Sequence, residues 1–307
     1  METVTYSLYL STNPKIYYLE KIIRKEMMNI SVFRRNRHAL ESAFLFITIS
    51  FFLNQSLCGY SLSAQKVETL RVGAARIALR VNKIYEELGY IITKNQLGAT
   101  IIHDKKRNRN LDTGGGFHGT DLMLFLAIRD IFPARSIFII GNAFGYSTFC
   151  LAEVFGEAKV DVIDAEIEGE DNKVGSNLTR KIAERYYPSV RLTIGFSPED
   201  TPRAVRKEVI DTGGYELIFI DGLHTNDQIY KDFNGISPYL APKCIVVIHD
   251  VGLANLQSGF RAIRERANQI RFNLFISRLI WTHFGTGLLA RGFPPLQFEP
   301  YFRGITD

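Results

Sequence analysis

Residues 136–148 have the sequence SIFIIGNAFGYST, in which a continuous apolar run ends at a loop that contains two glycines. An uninterrupted apolar run is typical of a parallel strand that is buried on both faces. Further runs of this kind follow along the chain, at Val160–Ile163, Val190–Ile194, Leu217–Ile220 and Cys244–Ile248. Segments with apolar residues at helical spacing separate them, at about 146–156, 172–187, 199–210, 225–239 and 257–270. Strands that alternate with helices predict an α/β fold with a doubly wound, mostly parallel sheet.

Polar residues follow each predicted strand at the point where it ends. Sheets of this type bind ligands beyond the carboxyl ends of their strands, near the point where the strand order reverses. Here those ends carry the loop Gly141–Thr148, then Asp164 with Glu166, Ser197, the element Asp221-Gly-Leu-His224, and His249-Asp250. A single acid after a strand is often only a helix cap, but polar residues at all of these ends together predict a ligand site. Asp164 lies about 20 residues beyond the glycine loop, the spacing at which a carboxylate can accept hydrogen bonds from ribose hydroxyls.

The composition is that of an ordinary globular chain, with 46% hydrophobic and 22% charged residues, and it argues against disorder and against a multi-span membrane protein. The net charge of +5 is unevenly distributed, because residues 1–115 carry 17 basic and 9 acidic side chains and residues 116–307 carry 20 and 23. The basic clusters Arg34–His38 and Lys105–Arg109 lie in no recognisable nucleic-acid-binding module, so no nucleic-acid partner is expected. Three cysteines without a CxxC pair do not form a disulfide framework.

Residues 1–65 are predicted to be an N-terminal extension with a short apolar stretch at 43–53. The basic cluster before this stretch and the small residues after it follow the pattern of a secretory signal, which a translation start at Met27 or Met28 would bring close to the terminus. The stretch is short for a membrane span, which needs about 20 apolar residues. The alternatives are a cleaved signal, membrane contact through an anchor at residues 43–57, and a buried or interfacial helix.

Residues 66–115 are predicted to be a helical and linker region that precedes a domain at 116–307. Apolar residues recur at helical spacing from Val67 to Leu88, which predicts an amphipathic helix. Lys105–Gly116, with its run of charges and three consecutive glycines, is the best candidate for a linker.

The order and spacing of the strand-end motifs resemble class I S-adenosylmethionine-dependent methyltransferases. Within that class they are most similar to the small-molecule O-methyltransferase-like subgroup, which has a D-G-x-H element after the fourth strand. The resemblance covers about residues 117–292. It implies a Rossmann-like sheet of seven strands, in which Phe272–Ile280 and Gly285–Arg291 form the last two.

The resemblance also implies where the cofactor S-adenosylmethionine would bind. Its methionine part would lie against Gly141, Asn142, Gly145, Tyr146 and Ser147. Asp164 would hold the ribose hydroxyls, Glu166 and Ser197 would lie near the adenosine, and Asp221 would sit beneath the reacting sulfonium. One position departs from the family pattern, because Ile139 stands where an acidic residue usually binds the amino group of the cofactor.

The chemistry that the resemblance implies is methyl transfer to a small hydroxylated acceptor, with His224 and Asp221 as the catalytic residues. A sulfonium methyl is already activated, so catalysis requires positioning and removal of the proton of the acceptor. His224 is the candidate base, since imidazole titrates near neutral pH. Asp221 and Asp250 could together hold a divalent ion such as Mg²⁺, although Val251 stands where related enzymes often have a further ligand.

Other polar and aromatic residues near the predicted site are expected to have structural roles. His249 is expected to point into the sheet or to bond locally. Trp281, His283 and Phe284 are expected to pack in the core, with a wall of the acceptor pocket as the alternative. Because S-adenosylmethionine is a cytosolic metabolite, the expected location is cytoplasmic, with a tether through residues 43–57 as an alternative.

Two other functions are alternatives. A nicotinamide-dependent oxidoreductase of the Rossmann type is disfavoured because GxGxxG is absent and Ala143 occupies the place of the middle glycine. The other alternative is a non-catalytic, membrane-tethered binding protein that has kept the fold, for which Ile139 is the argument.

Overall fold

The computed structural model describes residues 64–95, 100–167, 170–252, 254–270, 274–280, 282 and 285–294. The predictions for the N-terminal apolar stretch, for the start at Met27 or Met28, and for Trp281, His283 and Phe284 lie outside these residues and remain predictions. Within the described part of the chain, none of the helices combines the length and the apolar character that crossing a membrane requires.

The first described elements are a long helix and a small antiparallel sheet. Helix α1 (Ala64–Glu87) leads into strands β1 (Tyr90–Lys94), β2 (Thr100–Asp104) and β3 (Arg109–Gly115), which pair in that order, and α2 (Gly119–Ile131) follows. The helix predicted from Val67 to Leu88 is therefore confirmed.

The predicted linker at Lys105–Gly116 is wrong, because most of it belongs to a β-hairpin. Asp104 Oδ1 accepts hydrogen bonds from the backbone N–H groups of Lys106 at 2.8 Å and Arg107 at 3.1 Å, and this closes the turn between β2 and β3. Asn108 completes the turn with a φ of 50°, a conformation that asparagine tolerates better than most residues. The charges of this segment project from a turn, and its glycines end a strand.

The second sheet contains the five strands predicted from the apolar runs and the two further strands that the resemblance implied. They are β4 (Ser136–Ile140), β5 (Lys159–Asp164), β6 (Val190–Ile194), β7 (Tyr215–Ile220), β8 (Leu240–Ile248), β9 (Leu274–Ile280) and β10 (Thr286–Arg291). They pair in the order β6-β5-β4-β7-β8-β10-β9, and β10 runs antiparallel to the other six strands, which are parallel to one another. The predicted doubly wound, mostly parallel, seven-stranded α/β fold is confirmed.

Helices connect these strands on both faces of the sheet. They are α3 (Tyr146–Phe155), α4 (Glu170–Tyr186), α5 (Thr201–Ala204), α6 (Lys207–Asp211), α7 (Asn226–Ile236), which is followed by a 3-10 turn at Ser237–Tyr239, and α8 (Gln257–Gln269). The single helix predicted at 199–210 is divided in two at Arg206, whose backbone is extended. The reason is tertiary, since the backbone N–H of Arg206 donates to Tyr215 Oη at 2.8 Å instead of continuing a helix.

Two apolar cores lie on the two faces of the sheet, and β4 contributes to both. Ile137 and Ile139 pack with residues of α1 to α4, whereas Phe138 and Ile140 pack with residues of α5 to α8. This alternation explains why β4 is apolar at every position but its first. Since α1 and the small sheet belong to the same compact unit as the large sheet, residues 60–307, the domain boundary at 115/116 stays a prediction.

Candidate functional site

The carboxyl ends of the central strands surround a cavity of about 600 Å³. The chain moves outward from β4 through β5 to β6 on one side, then returns to place β7 and β8 on the other, so the strand order reverses beside β4. Crevices at such a reversal are the usual ligand sites of open α/β sheets, and their usual volumes include this one. The predicted position of the ligand site coincides with this cavity.

The loop after β4 turns sharply because two of its residues are glycines. Gly141 has a φ of 95°, and a Cβ atom at this position would lie 2.0 Å from the backbone oxygen of Asp221 on the neighbouring strand end. Gly145 has a φ of 81°, and its Cβ would lie 2.5 Å from Thr179 Oγ1. The loop leads into α3, and Tyr146 and Ser147 lie in its first turn, where backbone N–H groups lack partners within the helix.

Asp164 ties the end of β5 to this loop. Its Oδ2 atom accepts hydrogen bonds from the backbone N–H of Asn142 at 2.7 Å and of Ala143 at 3.1 Å, and its Oδ1 accepts from the N–H of Glu166 at 2.8 Å. Asp164 still lines the cavity, and a carboxylate has enough lone pairs to accept further hydrogen bonds there.

Two carboxylates and two imidazoles form a cluster at the ends of β7 and β8. Asp221, His224, His249 and Asp250 each offer one ligand atom, and these four atoms lie within 4.8 Å of one another. His249 Nδ1 is 3.1 Å from Asp221 Oδ1 and 3.0 Å from Asp250 Oδ1. His224 Nε2 is 3.4 Å from Asp221 Oδ1 and 3.4 Å from Asp250 Oδ2. We call these four residues the acid–imidazole cluster.

A third carboxylate approaches the cluster from α2. Asp121 Oδ2 lies 3.3 Å from His249 Nε2, so both ring nitrogens of this buried imidazole face carboxylate oxygens. The same oxygen of Asp121 accepts a hydrogen bond from the backbone N–H of His118 at 2.7 Å, which holds it at the start of the helix.

The charges of the cluster shift the pKa values of Asp221, His224 and His249 when no cation is bound. Although burial by itself raises the pKa of Asp221, the charge of His249 and hydrogen bonds from both imidazoles hold that pKa well below its usual range. Burial lowers the pKa of His249, but the charges of Asp221 and Asp121 raise it well above its ordinary value. The hydrogen bond with Asp221 raises the pKa of His224. The cluster therefore stabilises positive charge, either as protons on imidazole or as a bound cation.

Residues 138–251 match a protein family whose model is described as a methyltransferase domain. The chain contains a methyltransferase domain. The matched residues extend from β4 through the end of β8, so they include the glycine loop, Asp164 and the acid–imidazole cluster. The predicted methyltransferase family is thereby confirmed, and the match favours an enzyme of this family over a nicotinamide-dependent oxidoreductase.

Several solved structures are similar to the chain at low sequence identity. An O-methyltransferase from Streptomyces achromogenes involved in tomaymycin synthesis, in complex with SAM, is 16% identical, with 70% of this chain and 90% of that one covered and a TM-score of 0.47. An O-methyltransferase from Bacillus cereus in complex with SAH is 18% identical, with 58% and 83% covered and a TM-score of 0.44. An SAH-bound methyltransferase from Podospora anserina is 14% identical, with 56% and 78% covered and a TM-score of 0.42. None of the curated proteins matches the sequence.

Most of the predicted cofactor residues line the cavity of the methyltransferase domain. These are Gly141, Asn142, Tyr146, Ser147, Asp164, Ser197 and Asp221. Among the described residues, Gly145 and Glu166 are not part of the lining. Asn142 contributes its backbone to the lining, because its side chain is buried and forms hydrogen bonds with Thr179 Oγ1 and Thr148 Oγ1. Ile139 lies fully buried in the core, which explains its apolar character without reference to the cofactor.

The catalytic and metal candidates converge, with two additions that sequence reasoning missed. Asp221, His224 and Asp250 form the acid–imidazole cluster as expected, but the purely local role expected for His249 does not fit its contacts with Asp121 and Asp221. The sequence could have indicated His249 as a site residue, since it follows a buried strand directly. The sequence could not have indicated Asp121, because this residue lies on a helix before the glycine loop and contacts the cluster only in the folded chain.

A further acid, Asp232 on α7, also lines the cavity. Its side chain is 1% exposed, and its Oδ1 accepts a hydrogen bond from Gln228 Nε2 at 2.8 Å. Burial raises the pKa of Asp232 to about 6. The spacing of four residues between Gln228 and Asp232 on an amphipathic helix could have indicated the pair.

Proposed function

We propose that this protein transfers the methyl group of S-adenosylmethionine to a hydroxyl oxygen of a small molecule. The observation that carries the proposal is the junction of the cavity with the acid–imidazole cluster, since Asp221 belongs to both. A methyl donor in the cavity and a hydroxyl beside the cluster would thus be neighbours. Such proximity supplies much of the catalysis in a reaction whose donor is already activated.

The charge of the cavity suits a cationic cofactor. Its described lining contains five carboxylates and neither a lysine nor an arginine; the acids are Asp164, Glu199, Asp200, Asp221 and Asp232. S-adenosylmethionine carries a sulfonium and an ammonium group, both of which a negative cavity attracts. The carboxylate of its methionine part would be received by the first turn of α3, where backbone N–H groups and the hydroxyl of Ser147 are available.

His224 is the candidate general base. Its side chain is 38% exposed, so a substrate can reach it, whereas His249 is buried behind it. Neutral His224 would accept the hydroxyl proton of the acceptor, and Asp221 and Asp250 would stabilise the imidazolium that results. Because the pKa of His224 is raised, the neutral form becomes more abundant as the pH increases. The rate of methyl transfer is therefore expected to rise with pH and to become constant once His224 is fully deprotonated.

The acid–imidazole cluster also fits a divalent cation, with Asp221 and Asp250 as the expected ligands and His249 and His224 as further donors. When bound, such an ion would lower the pKa of the acceptor hydroxyl and orient it. Mixed oxygen and nitrogen donors suit Mn²⁺ or Zn²⁺ better than Mg²⁺, which prefers oxygen ligands. A ligating imidazole must be neutral, so metal binding would release protons from the cluster. Calorimetric titration of Mn²⁺ in buffers of different ionisation enthalpy measures that release, and Asp250→Asn should reduce both affinity and release.

The test of the proposed function separates binding from catalysis. Isothermal titration with S-adenosylmethionine and with NAD should give binding of the first only, and absence of S-adenosylmethionine binding would refute the proposal. Transfer of a labelled methyl group to a panel of phenols, catechols and sugars then identifies the acceptor.

With an acceptor in hand, His224→Gln should lower kcat by about 10²–10⁴-fold and leave S-adenosylmethionine binding unchanged. His103→Gln is the matched control, since His103 lies in the small sheet and bonds Asn110. Full activity of His224→Gln would show that another group accepts the proton.

A further inference from the structure

Asp232 is a buried acid in the cavity that the proposed transfer of a methyl group does not use. Its Oδ1 accepts from Gln228 Nε2, and the same amide nitrogen donates to the backbone oxygen of Ser197 at 2.7 Å. The hydroxyl of Ser197 also bonds the carboxylate. The Oδ2 atom lies 3.6 Å from the place that a Cβ would occupy on Gly222, so the carboxylate lies beneath the loop that follows β7.

This carboxylate lacks a cation among the residues that line the described cavity. A buried charge is costly unless hydrogen-bond donors compensate it, and the donors to Asp232 among the described residues are one amide and one hydroxyl. Another buried acid, Asp161, is better compensated, because it accepts hydrogen bonds from two arginines and Tyr215. Asp232 is therefore suited to a ligand that brings hydrogen-bond donors of its own.

The surroundings of Asp232 suit a flat ring. Three large apolar side chains line the same cavity although they are substantially exposed: Ile167 at 56%, Phe196 at 56% and Leu223 at 53%. Phe196 and Leu223 are the chain neighbours of Ser197 and Gly222, the two residues that contact or cover the carboxylate. Exposed apolar side chains around a concave site commonly mark the place of a ligand.

We propose that Asp232 accepts a hydrogen bond from the exocyclic amino group of the adenine of the cofactor and thereby selects adenine over other purines. The inference rests on the proposed function, because it requires S-adenosylmethionine in the cavity. The exocyclic amino group of adenine has two N–H donors, and an ionised carboxylate has only acceptors. Hypoxanthine has an oxygen in place of this amino group, so its lone pairs would face those of a carboxylate oxygen at that position, and its donor is instead the ring N–H at the neighbouring N1.

The experiment compares S-adenosylhomocysteine with its hypoxanthine analogue by calorimetric titration at about pH 8, where Asp232 is ionised. The wild-type protein should bind the adenine compound at least ~10-fold more tightly, since a site built for a donor leaves the mismatched oxygen unpaired. In Asp232→Asn the side-chain NH₂ can donate to the hypoxanthine oxygen, so the ratio of the two dissociation constants should fall towards one. Asp227→Asn, on the exposed face of the same helix and paired with Lys231, should keep the wild-type ratio.

The possible results distinguish a failure of the role of Asp232 from a failure of the proposed function. If the wild-type protein binds both compounds equally, or if Asp232→Asn discriminates as the wild type does, the role of Asp232 is refuted while the proposed function stands. The first of these comparisons needs no variant, so the inference remains testable even if Asp232→Asn fails to fold. If the wild type binds neither compound, the proposed function fails, and the inference fails with it.

Discussion

Replacing Asp232 by asparagine should stabilise the ligand-free protein at neutral pH. Burial raises the pKa of Asp232 from 3.8 to about 6, and Glu199 adds to the increase. The folded state thus binds this proton more tightly than the unfolded chain does. The contribution of Asp232 to stability is fully present below about pH 4 and is lost as the pH rises through about 6. A shift of about two pKa units corresponds to about 3 kcal/mol.

The assay is urea denaturation of the wild type and of Asp232→Asn at several pH values, without ligand. The free energies of unfolding should be similar near pH 4 and should differ by about 3 kcal/mol near pH 8, with the variant more stable. All other titrating groups are common to both proteins and cancel in the difference. Asp227→Asn, whose side chain is 74% exposed, should show no such trend. A difference that stays constant with pH would mean that Asp232 is ionised without penalty in the folded state.

Three further substitutions test contacts that hold the site in place. Asp161→Ala should lower the free energy of unfolding by about 3–5 kcal/mol in urea, because it leaves two guanidinium groups and a tyrosine hydroxyl without their shared carboxylate. Gly141→Ala should cost about 1–3 kcal/mol for its positive φ alone, and calorimetry should detect no S-adenosylmethionine binding because the new methyl group would displace Asp221. Tyr85→Phe should lower stability by about 1–3 kcal/mol in the same urea assay, since the oxygen of Phe144 loses a hydrogen bond of 2.7 Å from a fully buried tyrosine.

The large sheet could be predicted from sequence because its physical signal is local. A strand that is buried on both faces must be apolar at nearly every position, and this pattern needs no knowledge of its neighbours. The residues that follow such strands all reach one edge of the sheet, since parallel strands end on the same side. That rule alone brought Asp164, Asp221 and Asp250 into one region, and the structure has all three beside the cavity or in the acid–imidazole cluster.

The parts that could not be predicted depend on contacts between distant segments. Asp121 reaches His249 across 128 positions of the chain, and nothing in its own neighbourhood distinguishes it from a residue at the start of an ordinary helix. The same applies to Arg206, which interrupts the predicted helix because its backbone N–H donates a hydrogen bond to Tyr215 Oη. Lys105–Gly116 was predicted wrongly for a different reason, since charges and glycines favour a hairpin turn and a linker alike.

Gly116 follows the small sheet and lies against the acid–imidazole cluster, so a substitution there tests how precisely the cluster must be positioned. A Cβ atom on Gly116 would lie 2.9 Å from His249 Cε1 and 3.1 Å from Asp250 Oδ2. Both residues are at least 96% buried, so neither side chain can move aside without disturbing its other contacts. Gly116→Ala should therefore shift the cluster by a few tenths of an ångström and lower kcat by about 10-fold or more, since catalysis is sensitive to small displacements.

Gly119→Ala is the control, because its Cβ would meet nothing within 4 Å. Both variants should bind S-adenosylmethionine with wild-type affinity if the backbone of Gly116 acts on the cluster and not on the cofactor. Equal rates for Gly116→Ala and Gly119→Ala would show that the cluster tolerates the added methyl group. A parallel loss of cofactor binding in Gly116→Ala would instead locate its effect in the cavity, which Gly116 also lines.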